Sequence, residues 1–169
     1  MAPPPDEQEF QRWLEQHRSI LFKVARTYCR DEDDRQDLLQ EMLVQLWQAL
    51  PRYDPARAAA STWVYRVALN TAISFHRRHA GRRAARVPLP PELPQLPDAE
   101  ALEREQQLRQ LEQFIEELRE LDKALMLLYL ENKSHADIAD ILGISVSNVA
   151  TKVSRIKEQL RQRFARQTA

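Results

Sequence analysis

An all-α protein of two small helical domains, joined by a Pro-rich linker and closed by a helix-turn-helix, is what this sequence predicts. Three observations carry the prediction. Only two glycines occur, Gly81 and Gly143, each after a helical pattern, and strand-like alternation is scarce. Apolar residues instead recur three and four positions apart through most of the chain. Prolines 88, 90, 91, 94 and 97 crowd one stretch that offers no helical face, as a tether does. The expected layout is a tail over 1–8, a helical domain over 9–80, the linker over 81–101 and a second helical domain over 102–169.

The first helix spans about Phe10 to Tyr28, with Phe10, Trp13, Leu14, His17, Leu21, Val24, Ala25 and Tyr28 on one face. A second runs from about Asp33 to Leu50 on a stripe of Leu38, Leu39, Met42, Leu43, Leu46, Trp47 and Leu50. Pro51 and Pro55 end it, because proline lacks the backbone donor and clashes with the preceding turn. The third begins after Ser61 or Thr62, continues to His79 and buries Trp63, Val64, Val67, Ala68 and Phe75.

Beyond the linker, Leu108, Leu111, Ile115 and Leu118 mark an amphipathic helix. Another follows over Asp122 to Glu131, with Asn132 as a left-handed terminator. Ser134 then caps a short helix, Asp137 stands at capping-box spacing, and Gly143 falls where a left-handed residue ends it. Ser145 caps the last helix, whose Val149, Val153, Ile156, Leu160 and Phe164 share a face. Two helices about a three- or four-residue turn form a helix-turn-helix, which places its second helix in the DNA major groove.

The 25 basic and 25 acidic side chains cancel, so net charge announces no nucleic acid. Their distribution does. Lys152, Arg155, Lys157, Arg161, Arg163 and Arg166 oppose only Glu158 after Gly143, and Arg77, Arg78, Arg82, Arg83 and Arg86 lack acidic neighbours. Two separate basic surfaces suit two local phosphate contacts. Cys29 is the sole cysteine, read as a small buried thiol rather than a redox sensor. A disulfide within the chain and a multi-thiolate metal site are thereby excluded. His76 and His79 lack an acidic or thiolate neighbour and read as part of a basic patch, with no metal. No phosphate-cradling glycine loop or nucleophile motif occurs, so neither an enzyme nor a cofactor is expected. The start MAPPPDEQ has no signal-peptide character and no stretch is long enough to span a membrane, which points to the cytoplasm.

Residues 34–50, DRQDLLQEMLVQLWQAL, with STWVYRVALNTAI at 61–73, resemble region two of bacterial RNA polymerase sigma factors. Residues 118–160 resemble region four. Asp37-Leu-Leu-Gln40-Glu41, Ser61-Thr62-Trp63, a linker and the terminal helix-turn-helix together look like the small extracytoplasmic-function (ECF) type. The resemblance implies binding to core RNA polymerase, at the largest-subunit clamp and the flap, and to promoter DNA as duplex and as melted non-template strand. It also implies an anti-sigma factor, commonly membrane-linked, with no membrane insertion by this chain itself.

Residue by residue, the resemblance makes Asp37, Gln40 and Glu41 polymerase contacts. Gln45 and Gln48 share their acidic, amide-rich face, which repels phosphate; a merely solvated face is the alternative. The 51–60 loop corresponds to one that captures a base flipped from the minus-ten element. Arg52, Tyr53 and Arg57 have planar groups suited to stacking, unless Tyr53 packs locally and the arginines are only solvated. Arg66, Asn70, Ser74 and Arg77 share a face of the melting helix, with Asn70 suited to a base edge. Trp63 is expected as a core anchor.

In the last helix Ser147, Asn148, Thr151, Lys152, Arg155 and Lys157 are expected at the minus-thirty-five element. Asn148, Thr151 and Lys152 lie nearest the bases, Arg155 and Lys157 on phosphates, and Lys133 and Ser134 add a phosphate contact. Ala150, Glu158 and Gln159 stand where the family more often has basic residues. The rival expectation is a stand-alone helix-turn-helix regulator, binding duplex DNA as a dimer.

Overall fold

The computed structural model describes residues 6–83 and 99–168, which form seven α-helices and no strand among the described residues. The tail over 1–5 and most of the expected linker, 84–98, lie outside them.

Helix α1 (Glu7–Tyr28) starts at Asp6, whose carboxylate accepts the Gln8 N–H at 3.4 Å, and α2 (Glu32–Ala49) starts at Asp31, which accepts the Asp33 N–H at 3.1 Å. Acidic residues fill both first turns, where the helix dipole favours them. A single 3-10 turn, Leu50–Arg52, follows at Pro51. Helix α3 (Ala60–Arg83) closes a three-helix unit with α1 and α2. Leu38, Met42 and Leu46 on α2 and Val64, Ala68, Leu69 and Ala72 on α3 are wholly or almost wholly buried there. Each such leucine or methionine contributes about 2 kcal/mol of burial free energy.

Tyr65, Leu69 and Ala72 extend the buried surface of α3 well beyond the expected stripe. The reason is that α3 packs on α1 and α2 and also on α5 and α6, so it has no wide solvent face. It also continues through Gly81 to Arg83, and α4 (Ala99–Glu117) begins before residue 101; the two ends of the expected 81–101 linker are therefore helical. An interior glycine costs a helix only about 1 kcal/mol, and no proline follows until Pro88.

In the second unit the 3,4-spacing placed Leu108 on a buried stripe, but its side chain is 60% exposed and Phe114 is buried instead. Burial on α4 falls near its carboxyl-terminal end, at Phe114, whereas Leu102 and Leu108 in its earlier turns are both exposed. Helix α5 (Glu120–Leu130) is the centre of this unit, with Ala124, Leu125, Met126 and Leu128 buried. Asn132 terminates it at φ 58°, as expected of a left-handed position.

Helix α6 (His135–Leu142) opens on a full capping box. The Ser134 hydroxyl accepts the Asp137 N–H at 3.1 Å, and the Asp137 carboxylate accepts the Ser134 N–H at 3.3 Å. Gly143 ends α6 at φ 67°, and α7 (Val146–Thr168) follows, with the Ser145 hydroxyl accepting the Asn148 N–H at 3.1 Å. A β-carbon at Gly143 would meet open space, so only the backbone conformation opposes substitution. Gly143→Ala is expected to lower stability by about 1 kcal/mol. A thermal melt followed by helical circular dichroism measures it, and an unchanged midpoint would remove the glycine's role in the turn.

Candidate nucleic-acid interface

The α5–α6–α7 unit presents the amino-terminal half of α7 outward. Val149, Val153 and Ile156 are buried beneath it, while Ser147, Asn148, Thr151 and Arg155 are exposed. The Thr151 hydroxyl donates to the Ser147 carbonyl at 2.9 Å, which leaves its methyl and oxygen on the surface. Asn148 uses only its backbone N–H in the cap, so its side-chain amide is available to a base edge.

Lys152 stands apart from these. Its ammonium donates to Asp122 at 2.9 Å, and Arg155 reaches the other oxygen of the same carboxylate at 3.4 Å. Asp122 itself is buried in the first turn of α5. Lys152 thus ties α7 to α5, whereas Arg155 keeps 56% of its side chain exposed. Lys157 lies over the Tyr129 ring at 5.5 Å and donates to its hydroxyl at 3.2 Å. Lys133 is turned toward the first unit, 5.5 Å above the Tyr65 ring, and Ser134 is engaged in the α6 cap.

In the first unit, Arg52 and Arg57 are exposed on the loop after α2. Tyr53 packs locally, its ring 5.0 Å from Trp63 and its hydroxyl donating to the Ala58 carbonyl at 3.2 Å. Trp63 also meets Trp13 at 5.6 Å, an anchor for the loop rather than a surface wedge. On α3, Asn70, Ser74 and Arg77 are exposed in a row. Asp37, Gln40, Gln45 and Gln48 form an exposed band on α2, while Glu41 pairs with Arg78 of α3. His79 stacks on Phe75 with centroids 4.1 Å apart.

These two surfaces match known families in the same order. The sigma-70 region 2 model matches residues 13–82, and the sigma-70 region 4 model matches residues 108–160. The chain belongs to the sigma-70 family. Its two-region arrangement is that of the ECF type. It is 24% identical over 161 residues to the ECF RNA polymerase sigma factor SigE of Mycolicibacterium smegmatis, covering 92% of this chain and 62% of that protein. The chain thus spans less than two thirds of that relative's length.

Its fold resembles CnrH, solved with the cytosolic domain of CnrY, at TM-score 0.66 and 22% identity over 95% of this chain and 90% of that one. It equally resembles the sigma factor RpoE of Bartonella quintana, solved with the anti-sigma factor NepR, at TM-score 0.66 and 19% identity over 92% and 96%. No helix among the described residues is long and apolar enough to cross a membrane, and no group of three or more His, Cys, Asp or Glu there could hold a metal ion.

Regions 2 and 4 of this sigma factor pack against each other, a contact that the sequence patterns did not foretell. Tyr28 of α1 donates its hydroxyl to the Glu120 carbonyl at 2.6 Å, and burial, with Glu120 adding to it, pushes that phenol's pKa up. Burial, and secondarily Glu131, pushes Tyr65 up to about 12. His76 belongs to this seam and not to an exposed basic patch: its Nδ1 lies 3.7 Å from Glu120 and its ring 6.1 Å from Tyr28. The Glu120 carboxyl is held below its ordinary value by its own backbone N–H and then by His76, Arg77 and Lys123.

Arg66 shows the seam most directly. It donates to the Asp140 carbonyl at 2.7 Å and to the Asp140 carboxylate at 3.1 Å. With Asn70 it lines an open cleft of about 550 Å³ against Ala139 to Ile144. Asp122, Tyr65 and Asp140 are the residues that sequence reasoning missed. The only signal for Asp140 was a carboxylate in the last turn of a helix, where the dipole disfavours it.

Proposed function

We propose that the protein is a promoter-specificity subunit of RNA polymerase. Region 2 binds core enzyme through Asp37, Gln40, Glu41, Gln45 and Gln48. Arg52, Tyr53, Arg57, Arg66, Asn70, Ser74 and Arg77 serve the minus-ten element and its melted non-template strand. Region 4 reads the minus-thirty-five duplex through Ser147, Asn148 and Thr151. Arg155 and Lys157 hold phosphates, Lys152 acts mainly by fixing α7, and Lys133 and Ser134 lie at the edge of the footprint.

The single observation behind this reading is the outward row Ser147, Asn148, Thr151 and Arg155 on a helix whose opposite face is buried. Small polar groups reach base edges there and the arginine reaches backbone, the division of labour of a groove-reading helix. The protein performs no covalent step; nucleotide addition belongs to the polymerase. Its place is the cytoplasm, where an anti-sigma factor is its expected regulator.

Run-off transcription from fragmented genomic DNA with purified core polymerase tests the proposal. New transcripts sharing two spaced upstream elements are expected, whereas no new starts with tight duplex binding by the free protein would favour a dimeric regulator. On a promoter so found, Asn148→Ala is expected to reduce transcript yield about tenfold, the loss of one good base contact. An unchanged yield would remove Asn148 from the interface.

A further inference from the structure

We propose that α7 selects an A·T tract: the methyl groups of Val146, Ala150 and Thr151 pack on thymine C5-methyls in the major groove, while the Asn148 amide pairs with adenine. The inference deepens the reading of α7 as the minus-thirty-five helix and rests on it.

An apolar edge on the outward side of α7 is the first observation. Val146 is 50% exposed in the first turn, and Ala150 is exposed one turn later. Neither contributes to the core, which takes Val149, Val153 and Ile156 instead. Side chains four residues apart stand one above the other on a helix, about 6 Å along its axis. Two steps of duplex rise by about 7 Å, so both side chains can meet bases of one short tract.

The hydroxyls of this surface are engaged on α7 itself. The Ser145 hydroxyl accepts the Asn148 N–H at 3.1 Å and lies 3.2 Å from the Ser147 hydroxyl. The Thr151 hydroxyl donates to the Ser147 carbonyl at 2.9 Å. A threonine that turns its hydroxyl back onto the helix presents its methyl to whatever lies opposite.

The charged groups point elsewhere. Guanine O6 and N7 call for arginine or lysine, and the cytosine amino group for a carboxylate. Lys152 donates to the buried Asp122 at 2.9 Å and Arg155 reaches the same carboxylate at 3.4 Å, which turns both toward α5. Glu158, the sole carboxylate of α7, lies 3.4 Å from Arg161 and accepts from Gln162 at 3.2 Å. The first two turns of α7 therefore aim no charge at a G·C pair. Asn148 offers the amide that adenine N6 and N7 require.

These groups are also arranged as an A·T pair needs them. At helical spacing Asn148 lies on one flank of the exposed face and Val146 and Ala150 on the other, with Ser147 and Thr151 between. In the major groove each A·T pair sets adenine N7 and the amino group beside the thymine methyl. An amide flank and a methyl flank thus complement a run with adenines on one strand and thymines on the other. Methyl packed on methyl excludes water, and no G·C pair supplies that group.

The experiment binds a library of random-sequence duplexes to the full chain, alone and together with core polymerase, and sequences the retained fraction. The enriched duplex is then remade with deoxyuridine for thymine, which deletes only the C5-methyl, and bound by wild type and Val146→Ala. An A·T tract is expected in the enriched set. Deoxyuridine there should weaken wild-type binding about three- to fourfold for each methyl that loses its contact. Val146→Ala should bind the thymine duplex more weakly by a similar factor and be correspondingly less sensitive to deoxyuridine.

An enriched element built of G·C pairs overturns the proposal. Equal deoxyuridine losses in wild type and Val146→Ala also overturn it, by assigning the effect to duplex shape. Enrichment by the chain alone, with no gain from polymerase, would instead refute the sigma-factor reading, and the deoxyuridine comparison on that duplex would still decide the role of Val146. Retention of no duplex in either form would overturn both.

Discussion

Leu69→Ala is expected to lower the stability of region 2 by about 3–4 kcal/mol. Leu69 is 1% exposed on α3, the helix on which both α1 and α2 pack. Removing its isobutyl group forfeits the transfer free energy of those carbons. It also leaves a cavity that three rigid helices close only partly, and leucine-to-alanine changes at such sites cost about 3–5 kcal/mol. Helical circular dichroism in a urea titration reads both regions, and the fluorescence of Trp13, Trp47 and Trp63, which all lie before the linker, assigns the Leu69→Ala loss to region 2. Leu108→Ala is the internal comparison. The same atoms are removed from a side chain that is 60% exposed, and stability should change by less than about 0.5 kcal/mol. Equal shifts in the two variants would mean that α3 does not organise region 2 as described.

That comparison also marks where the sequence was legible. Capping chemistry is local, so the Ser134–Asp137 box, the left-handed Asn132 and Gly143 and the Ser145 cap were all readable from spacing. The apolar stripes of α1, α2 and α7 each face one neighbour, and periodicity finds such faces. Leu108 failed the same test because periodicity reveals which face of a helix is apolar but not how far along the helix a partner extends.

The seam was invisible for a related reason. Tyr28 and Glu120 are 92 positions apart, and Arg66 and Asp140 are 74 apart, so neither pair leaves a local signature. His76 read as part of a basic patch because the carboxylate it faces lies across the linker. The site residues divide similarly. Polar residues off the α7 stripe were placed on its surface correctly, but whether a lysine there meets solvent or a buried aspartate depends on the turn of α5 beneath it.

Asp122→Ala is expected to destabilise region 4 by about 2–3 kcal/mol and to do so through Lys152. The carboxylate is 8% exposed and the lysine side chain 20% exposed, so both charges have left much of their hydration to meet at 2.9 Å. Deleting the acid strands an ammonium on a partly dry surface, and breaking a fully buried pair in this way costs about 3–5 kcal/mol. The residual exposure of Lys152 reduces that cost, and Arg155, more than half exposed at 3.4 Å, adds little.

Lys152→Met should cost less, because Arg155 still faces the carboxylate. The double variant Asp122→Ala/Lys152→Met should recover most of the loss, since the only charge it leaves without its partner is that of the exposed Arg155, which water solvates. A coupling of about 1 kcal/mol or more in this cycle, read from thermal midpoints, is the expected outcome. Strictly additive losses would show that the two side chains meet without depending on each other. The DNA arm of the same cycle separates the two roles open to Lys152. As a strut between α7 and α5, its replacement by methionine should weaken promoter binding less than Asn148→Ala does. A larger loss than that would return Lys152 to the bases.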